Sequence, residues 1–372
     1  MLRSFIFIAV FVFGTGTLIA QPEKDKLLPK VDERMEILCI AYKLTTNRPA
    51  LDSANLLYNE AINRHFAPYK QHPFILYLAN LSDSFSNKGI DISTWELPSV
   101  AMHIGPAPLF EPLVPFDDTT GIDGWDDRTL LFPGFISMFR SFYKETDAEQ
   151  FFKEQESYYK AVESKFAGSP QPINRNWIDA FFNIEPSETY LPVLSLQGFG
   201  NGDYIRVNFK GNRRYTHTIF GCTDFNEKGI PSDCNNNWLQ RGNLHEYIHV
   251  YVNQLVEEHM KELNGPATKI LADSLVWKKV SQSFYNNNRY YLYESLVRAV
   301  SIVYMIHNTG IKTTMDTEIS SQEKAGFPWM RGLVLLLNGY YGRTNNYKNF
   351  RYFMPQVVHY FDQYQQTTNT GK

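Results

Sequence analysis

Apolar residues recur at three- and four-residue intervals along most of this chain, the spacing of helices with one buried face. Met35, Leu38, Cys39 and Tyr42 share one such face, and Phe74, Leu78, Leu81 and Phe85 another. Pro-rich sequence at residues 105–115 interrupts the pattern, which predicts further helices over residues 130–143 and 147–166. GSPQP (168–172) reads as a linker or turn. The character then changes. YLPVLSL (190–196), DYIRVNF (203–209) and YTHTIFG (215–221) are short, rich in β-branched and aromatic residues, and separated by QGFGNG and KGNRR. They predict adjacent antiparallel strands. The helical period returns at 244–263, 267–281, 290–307, 328–337 and 352–364. The expected fold is α+β and mostly helical: a helical N-terminal part (21–185), then a part (186–372) in which a small antiparallel sheet leads into helices.

Residues 1–20 stand apart. Arg3 precedes the apolar run FIFIAVFVF, and Leu18-Ile19-Ala20 meets the charged QPEKDK. This is the pattern of a secretory signal, too short to span a bilayer, and it predicts an exported protein, periplasmic or extracellular, with no membrane span after the signal is removed. Export makes Cys222 and Cys234 disulfide candidates; the bridge would close a short turn-rich loop and stabilise it by roughly 3 kcal/mol. Cys39, set among apolar residues, reads as a buried small hydrophobe. Lys+Arg 36 against Asp+Glu 39 gives a net charge of −3, which argues against nucleic-acid binding. Aromatic residues make up 15% of the chain, so Phe and Tyr are expected to build the cores. The Pro-rich stretch and the acidic DDTTGIDGWDD (117–127) read as solvated loop, with a cleft rim or a cation site as alternatives.

Chemistry concentrates in NLHEYIHVYVNQLVEEH. On a helix His245 and His249 lie one turn and about 40° apart, so two imidazoles can share one cation. Glu246 lies near enough in projection to hydrogen-bond a water beside that cation. Asn253, a turn beyond His249, can fix an imidazole. Leu244, Ile248, Tyr251, Val252, Leu255 and Val256 form an apolar stripe, and Asn264-Gly265-Pro266 supplies a stop signal. A competing reading makes Asn243 a helix cap with Glu246 tied to it.

A third ligand is needed. Val252 and Leu255 occupy the positions where a metzincin carries Gly and His, and His259 is too far along the axis. Glu294 is the best candidate, a charged residue in the otherwise apolar helix YYLYESLVRAVSIVYMIH. Arg298, one turn on, either satisfies Glu294 as a buried pair or orients it as a ligand. Glu257, Glu258 and Glu262 are expected on a solvated face, and Glu318 and Glu323 in a polar loop. Tyr291, Tyr293, Tyr304, His307 and Arg298 are the candidates for stabilising an oxyanion.

HEYIH with a downstream YESLVRA resembles the gluzincin-type zinc peptidases. The wider pattern, with VDERMEIL and NRHFAPYKQHPFI ahead of the histidines, resembles an uncharacterised family of secreted bacterial proteins predicted to be metallopeptidases. The resemblance implies His245, His249 and Glu294 as ligands to one Zn2+, with Glu246 as general base and a zincin-like catalytic part. The interval from His249 to Glu294 is wider than is usual among gluzincins. In that arrangement an edge strand upstream of the zinc helix binds extended peptide, and YTHTIFG stands where such a strand would, with an interior strand as the alternative. The expectation is a secreted zinc-dependent peptidase acting on peptide or protein substrates; the alternative is a non-catalytic binding or scaffold protein that retains the fold.

Overall fold

A computed structural model describes residues 27–45, 56–114, 133–167, 173–186, 188–197, 204–211, 213–222, 224–232, 237–281, 285–308 and 314–369. The expected signal (1–20), Cys234 and the acidic run 117–127 lie outside the described residues. The N-terminal helices are α1 (Glu33–Leu44), α2 (Leu56–Phe66), α3 (Pro73–Ser86), α4 (Glu96–His103), α5 (Pro133–Glu145), α6 (Ala148–Ala167) and α7 (Arg175–Phe182). The C-terminal helices are α8 (Asn237–Glu258), α9 (Met260–Leu271), α10 (Ser274–Val280), α11 (Asn288–Asn308), α12 (Thr314–Lys324), α13 (Met330–Tyr341) and α14 (Met354–Asn369). Among the described residues no helix is long and apolar enough to cross a membrane.

The strands are β1 (Lys30–Val31), β2 (Thr189–Tyr190), β3 (Val193–Ser195), β4 (Tyr204–Asn208) and β5 (Arg214–Gly221). The α+β, mostly helical class holds, but the sheet is not the antiparallel one expected. β2 and β3 both run parallel to β5 in a single register, Thr189 opposite Tyr215 and Ser195 opposite Gly221. They are one line of chain broken at Pro192, which has no N–H to give the ladder. β1 is parallel to β3. Only β4 is antiparallel to β5, from Tyr204 opposite Thr218 to Asn208 opposite Arg214. The strands YLPVLSL and YTHTIFG run the same way because the strand between them in sequence turns back along the far side of β5. β5 is therefore interior, the second of the two positions open for YTHTIFG, and β4 is the edge strand.

Two hydrophobic cores meet at this sheet. Val193, Leu194, Ile205, Val207, Ile219 and Phe220 pack with the helices α1–α6. Ile178, Phe181 and Phe182 of α7 pack with α8, α9, α11, α13 and α14. The cores thus do not separate at residue 185. α8 packs along α11 and also touches β2 and β5. Its buried side is pinned to α7, where the ring of Phe182 stacks on that of Tyr251 with centroids 4.7 Å apart. Tyr247 and Tyr251 donate their hydroxyls to Asp179 Oδ1 at 2.7 and 2.8 Å. Burying two phenols stabilises the packing only because both find this acceptor.

Candidate metal centre

α8 begins at Asn237, seven residues before the expected start, and this decides the fate of Glu246. Asn243 is inside the helix rather than at its cap. Its side chain donates to the Leu27 carbonyl at 2.7 Å and accepts from the Tyr190 hydroxyl at 2.8 Å. Glu246 is consequently not held in a capping box, and among the described residues its carboxylate has no hydrogen bond or ion pair. The predicted stop at Asn264-Gly265-Pro266 falls instead inside α9. The break comes at His259, because α9 gains more by burying Leu263, Pro266, Ala267 and Ile270 on one face than Pro266 costs.

The helical turn between His245 and His249 brings their Nε2 atoms to 3.2 Å. Glu294 on α11, 8% exposed, meets both: Oε1 is 3.2 Å from His249 Nε2 and Oε2 is 3.4 Å from His245 Nε2. A tetrahedral ion held by nitrogen and oxygen at about 2.0–2.1 Å sets its donors about 3.3–3.4 Å apart, so the three groups fit the face of such a site. One donor atom from each of His245, Glu246 and His249 also lies within 4.8 Å of the others. His249 is buried while His245 and Glu246 are half-buried, so the cluster opens on the Glu246 side.

Each donor is oriented from behind. Asn253 Oδ1 accepts from His249 Nδ1 at 2.9 Å, which leaves Nε2 to face Glu294. Arg298 donates to Glu294 Oε2 through Nε at 2.9 Å, and is itself held by Gln322 at 2.8 Å and the Tyr285 hydroxyl at 3.1 Å. Burial pushes the Glu294 carboxyl up, but the charges and hydrogen bonds of His245 and His249 outweigh it and hold the group well below the ordinary carboxylate range. Burial likewise opposes protonation of His249, yet the hydrogen bond to Glu294 and the Glu246 charge raise it to about 9. These opposed shifts describe an anionic site that draws positive charge.

Several expected roles do not survive. The Tyr293 hydroxyl is taken by Glu257, which also pairs with Arg289. His307 bonds Asn338 Oδ1 and packs on Tyr341; thirteen residues along α11 from Glu294, it is about 20 Å away along the axis. Tyr291 donates to the Gly326 carbonyl, and the Tyr304 hydroxyl accepts from Asn174 N–H. Glu318 and Glu323 sit on α12 rather than in a loop, paired with Arg241 and Arg331. Cys222 is buried, and its expected partner is outside the described residues.

Two groups near the cluster carry no signal in the sequence. Tyr285 precedes α11 and feels the charges of both Glu294 and Glu246. Tyr204, on the edge strand β4, sets its ring 6.0 Å from that of His249. Its hydroxyl donates to the buried Glu188, which Arg206 also binds at 2.9 Å and Thr216 caps. An asparagine at His249 +4 and an arginine at Glu294 +4 are visible as helical spacings; Tyr285 and Glu188 come from irregular chain and are not.

The fold and cluster define an α+β protein with paired histidines and a buried glutamate brought together from two helices. Residues 30–360 match a family described as a domain of unknown function (DUF4932), and the chain belongs to that family. No curated protein and no solved structure matches it.

Proposed function

We propose that this protein is an exported zinc-dependent peptidase of the gluzincin type, with His245, His249 and Glu294 holding one Zn2+ and Glu246 acting as general base. The observation that carries the reading is the meeting of two Nε2 atoms and one carboxylate at 3.2–3.4 Å, beside a second carboxylate with no partner among the described residues. The choice of zinc rests on the donor chemistry, two imidazoles and one carboxylate with an open side. Export rests on the sequence of residues 1–20.

Zn2+, when bound, supplies a Lewis acid that polarises a carbonyl and acidifies water. Glu246 accepts the proton of the attacking water and delivers it to the departing amine, which its half-buried position and lack of a competing donor allow. Arg298 fixes the Glu294 carboxylate, and Asn253 keeps the His249 proton on Nδ1. Tyr285, whose hydroxyl accepts from Arg298 at 3.1 Å and which feels the charges of Glu294 and Glu246, is assigned as the donor to the oxyanion. The edge strand β4 offers backbone groups for pairing an extended peptide alongside His249.

The test is Glu246→Gln in the full chain, assayed on a mixture of fluorogenic peptides with zinc measured in parallel. The proposal expects full zinc content and hydrolysis reduced by about 10²–10⁴-fold, the usual contribution of a general base. Zinc-loaded wild type that cleaves nothing, or a variant that cleaves as well as wild type, refutes it.

A further inference from the structure

A second concavity lies in the N-terminal half, built without any residue of the metal cluster. It holds about 350 Å³, at the low end of the range of small-molecule sites, and part of its rim is the chain at residues 107–108, within the Pro-rich stretch. Its floor is aromatic. Tyr143 of α5 and Phe152 of α6 lie nearly parallel, 17° apart with centroids at 6.3 Å. Tyr143 is 4% exposed, and among the described residues its hydroxyl has no hydrogen-bond partner.

The walls are acidic. Glu33, Glu149 and Glu156 line the cavity against a single cation, Lys153. Glu156 is bound to Lys160, but Glu33 and Glu149 have no hydrogen bond or ion pair among the described residues. Both charges act on the Tyr143 hydroxyl, and partial burial together with Asp32 and Glu149 raises the Glu33 carboxyl above its ordinary value. Acids in the first turns of α1 and α6 are favoured by the helix dipoles, which explains their presence there. It does not explain a concavity floored by two rings, one of them from a buried tyrosine whose hydroxyl bonds no described residue.

We propose that this cavity binds an organic cation of the alkylammonium type, its charge between Glu33 and Glu149 and its apolar stem over the Tyr143 and Phe152 rings. A primary ammonium matches the three demands at once. It offers N–H donors to two carboxylates and to the phenol oxygen, it is attracted by the faces of aromatic rings, and its stem fills space that a hydrated metal ion would leave wet. Inorganic anions are excluded by the same walls.

The probes are n-butylammonium chloride, its neutral counterpart n-butanol, and N-acetyl-lysine amide, each titrated by calorimetry into the full chain. Saturable binding of either cation below about 10 mM, with butanol silent, is expected. Tighter binding of butylammonium identifies a free amine as the ligand, and tighter binding of acetyl-lysine amide a lysine side chain. Glu149→Gln, an exposed position, is expected to weaken binding about tenfold, the scale of one charge-assisted hydrogen bond. Tyr143→Phe, which keeps the ring, is expected to weaken it less. Butanol binding as well as the amine, neither cation saturating, or Glu149→Gln leaving the affinity unchanged overturns the proposal. The Glu149 effect also separates this cavity from the His245–His249 cluster, whose zinc content stays as in wild type.

Discussion

Glu36 and Glu294 are both buried glutamates on helices, one in each hydrophobic core, and their titration is shifted in opposite directions. Glu36 is fully buried; its carboxyl accepts from Leu196 N–H at 2.8 Å and from the Tyr58 hydroxyl at 3.0 Å, with Tyr159 completing the chain at 2.6 Å. Burial raises it to about 7 despite those two hydrogen bonds. Glu294 is nearly as buried but faces two imidazoles and Arg298, and is held anionic. Burial without a cationic neighbour moves a carboxyl toward its neutral form, here in a latch that fastens α1 to the chain just after β3. Cationic neighbours turn the same residue into a donor that a metal ion can share.

The sharpest way to break the comparison is to neutralise each glutamate in turn. Glu294→Gln should weaken zinc binding by more than the about 10–100-fold effect of an outer hydrogen-bond partner, as read by competition with a chromogenic chelator. Glu36→Gln should leave zinc affinity as in wild type. Equal effects would mean that Glu294 is no more than a second structural latch.

Stability against pH gives the next effect. Because the folded-state value of Glu36, about 7, lies above its ordinary 4.5, its contribution is fully present below about pH 4.5 and is lost as pH rises through 7. Denaturant unfolding of the wild type should therefore lose about 3 kcal/mol across that window from this group, a loss that Glu36→Gln removes. A variant whose pH profile parallels wild type would show that Glu36 ionises as freely folded as unfolded.

The smallest effect belongs to the orienting amide. Asn253→Ala should cost about 10–100-fold in zinc affinity. His307→Ala, on the same helix as Glu294 but bonded to Asn338, should cost nothing measurable. A larger loss from His307 than from Asn253 would invert the assignment of supporting residues.

Much of the C-terminal half is legible in the sequence because its helices are marked by burial. The apolar period over 290–307 corresponds to α11 (Asn288–Asn308), and a charge within that run singles out Glu294. The polar stretch at the start of α8 has no apolar period, so the sequence there suggests a cap where the helix is already under way. Thr314–Lys324 reads as loop because it is mostly polar, with Ile319 fully buried; tertiary packing makes it a helix and delivers Gln322 to Arg298. The strands are recognisable but their directions are not, since nothing local records which side of β5 its neighbours occupy. The residues behind the donors follow helical spacing, whereas Tyr285 and Tyr204 reach the cluster only through the fold.

Everything proposed for the site depends on a cation being held where α8 and α11 meet. Elemental analysis of the purified full chain at neutral pH, before and after dialysis against a chelator, addresses that directly. The account predicts about one equivalent of zinc that survives buffer exchange and falls in His245→Ala and Glu294→Gln. Wild-type protein carrying well under one equivalent, or variants that retain it, would contradict the account.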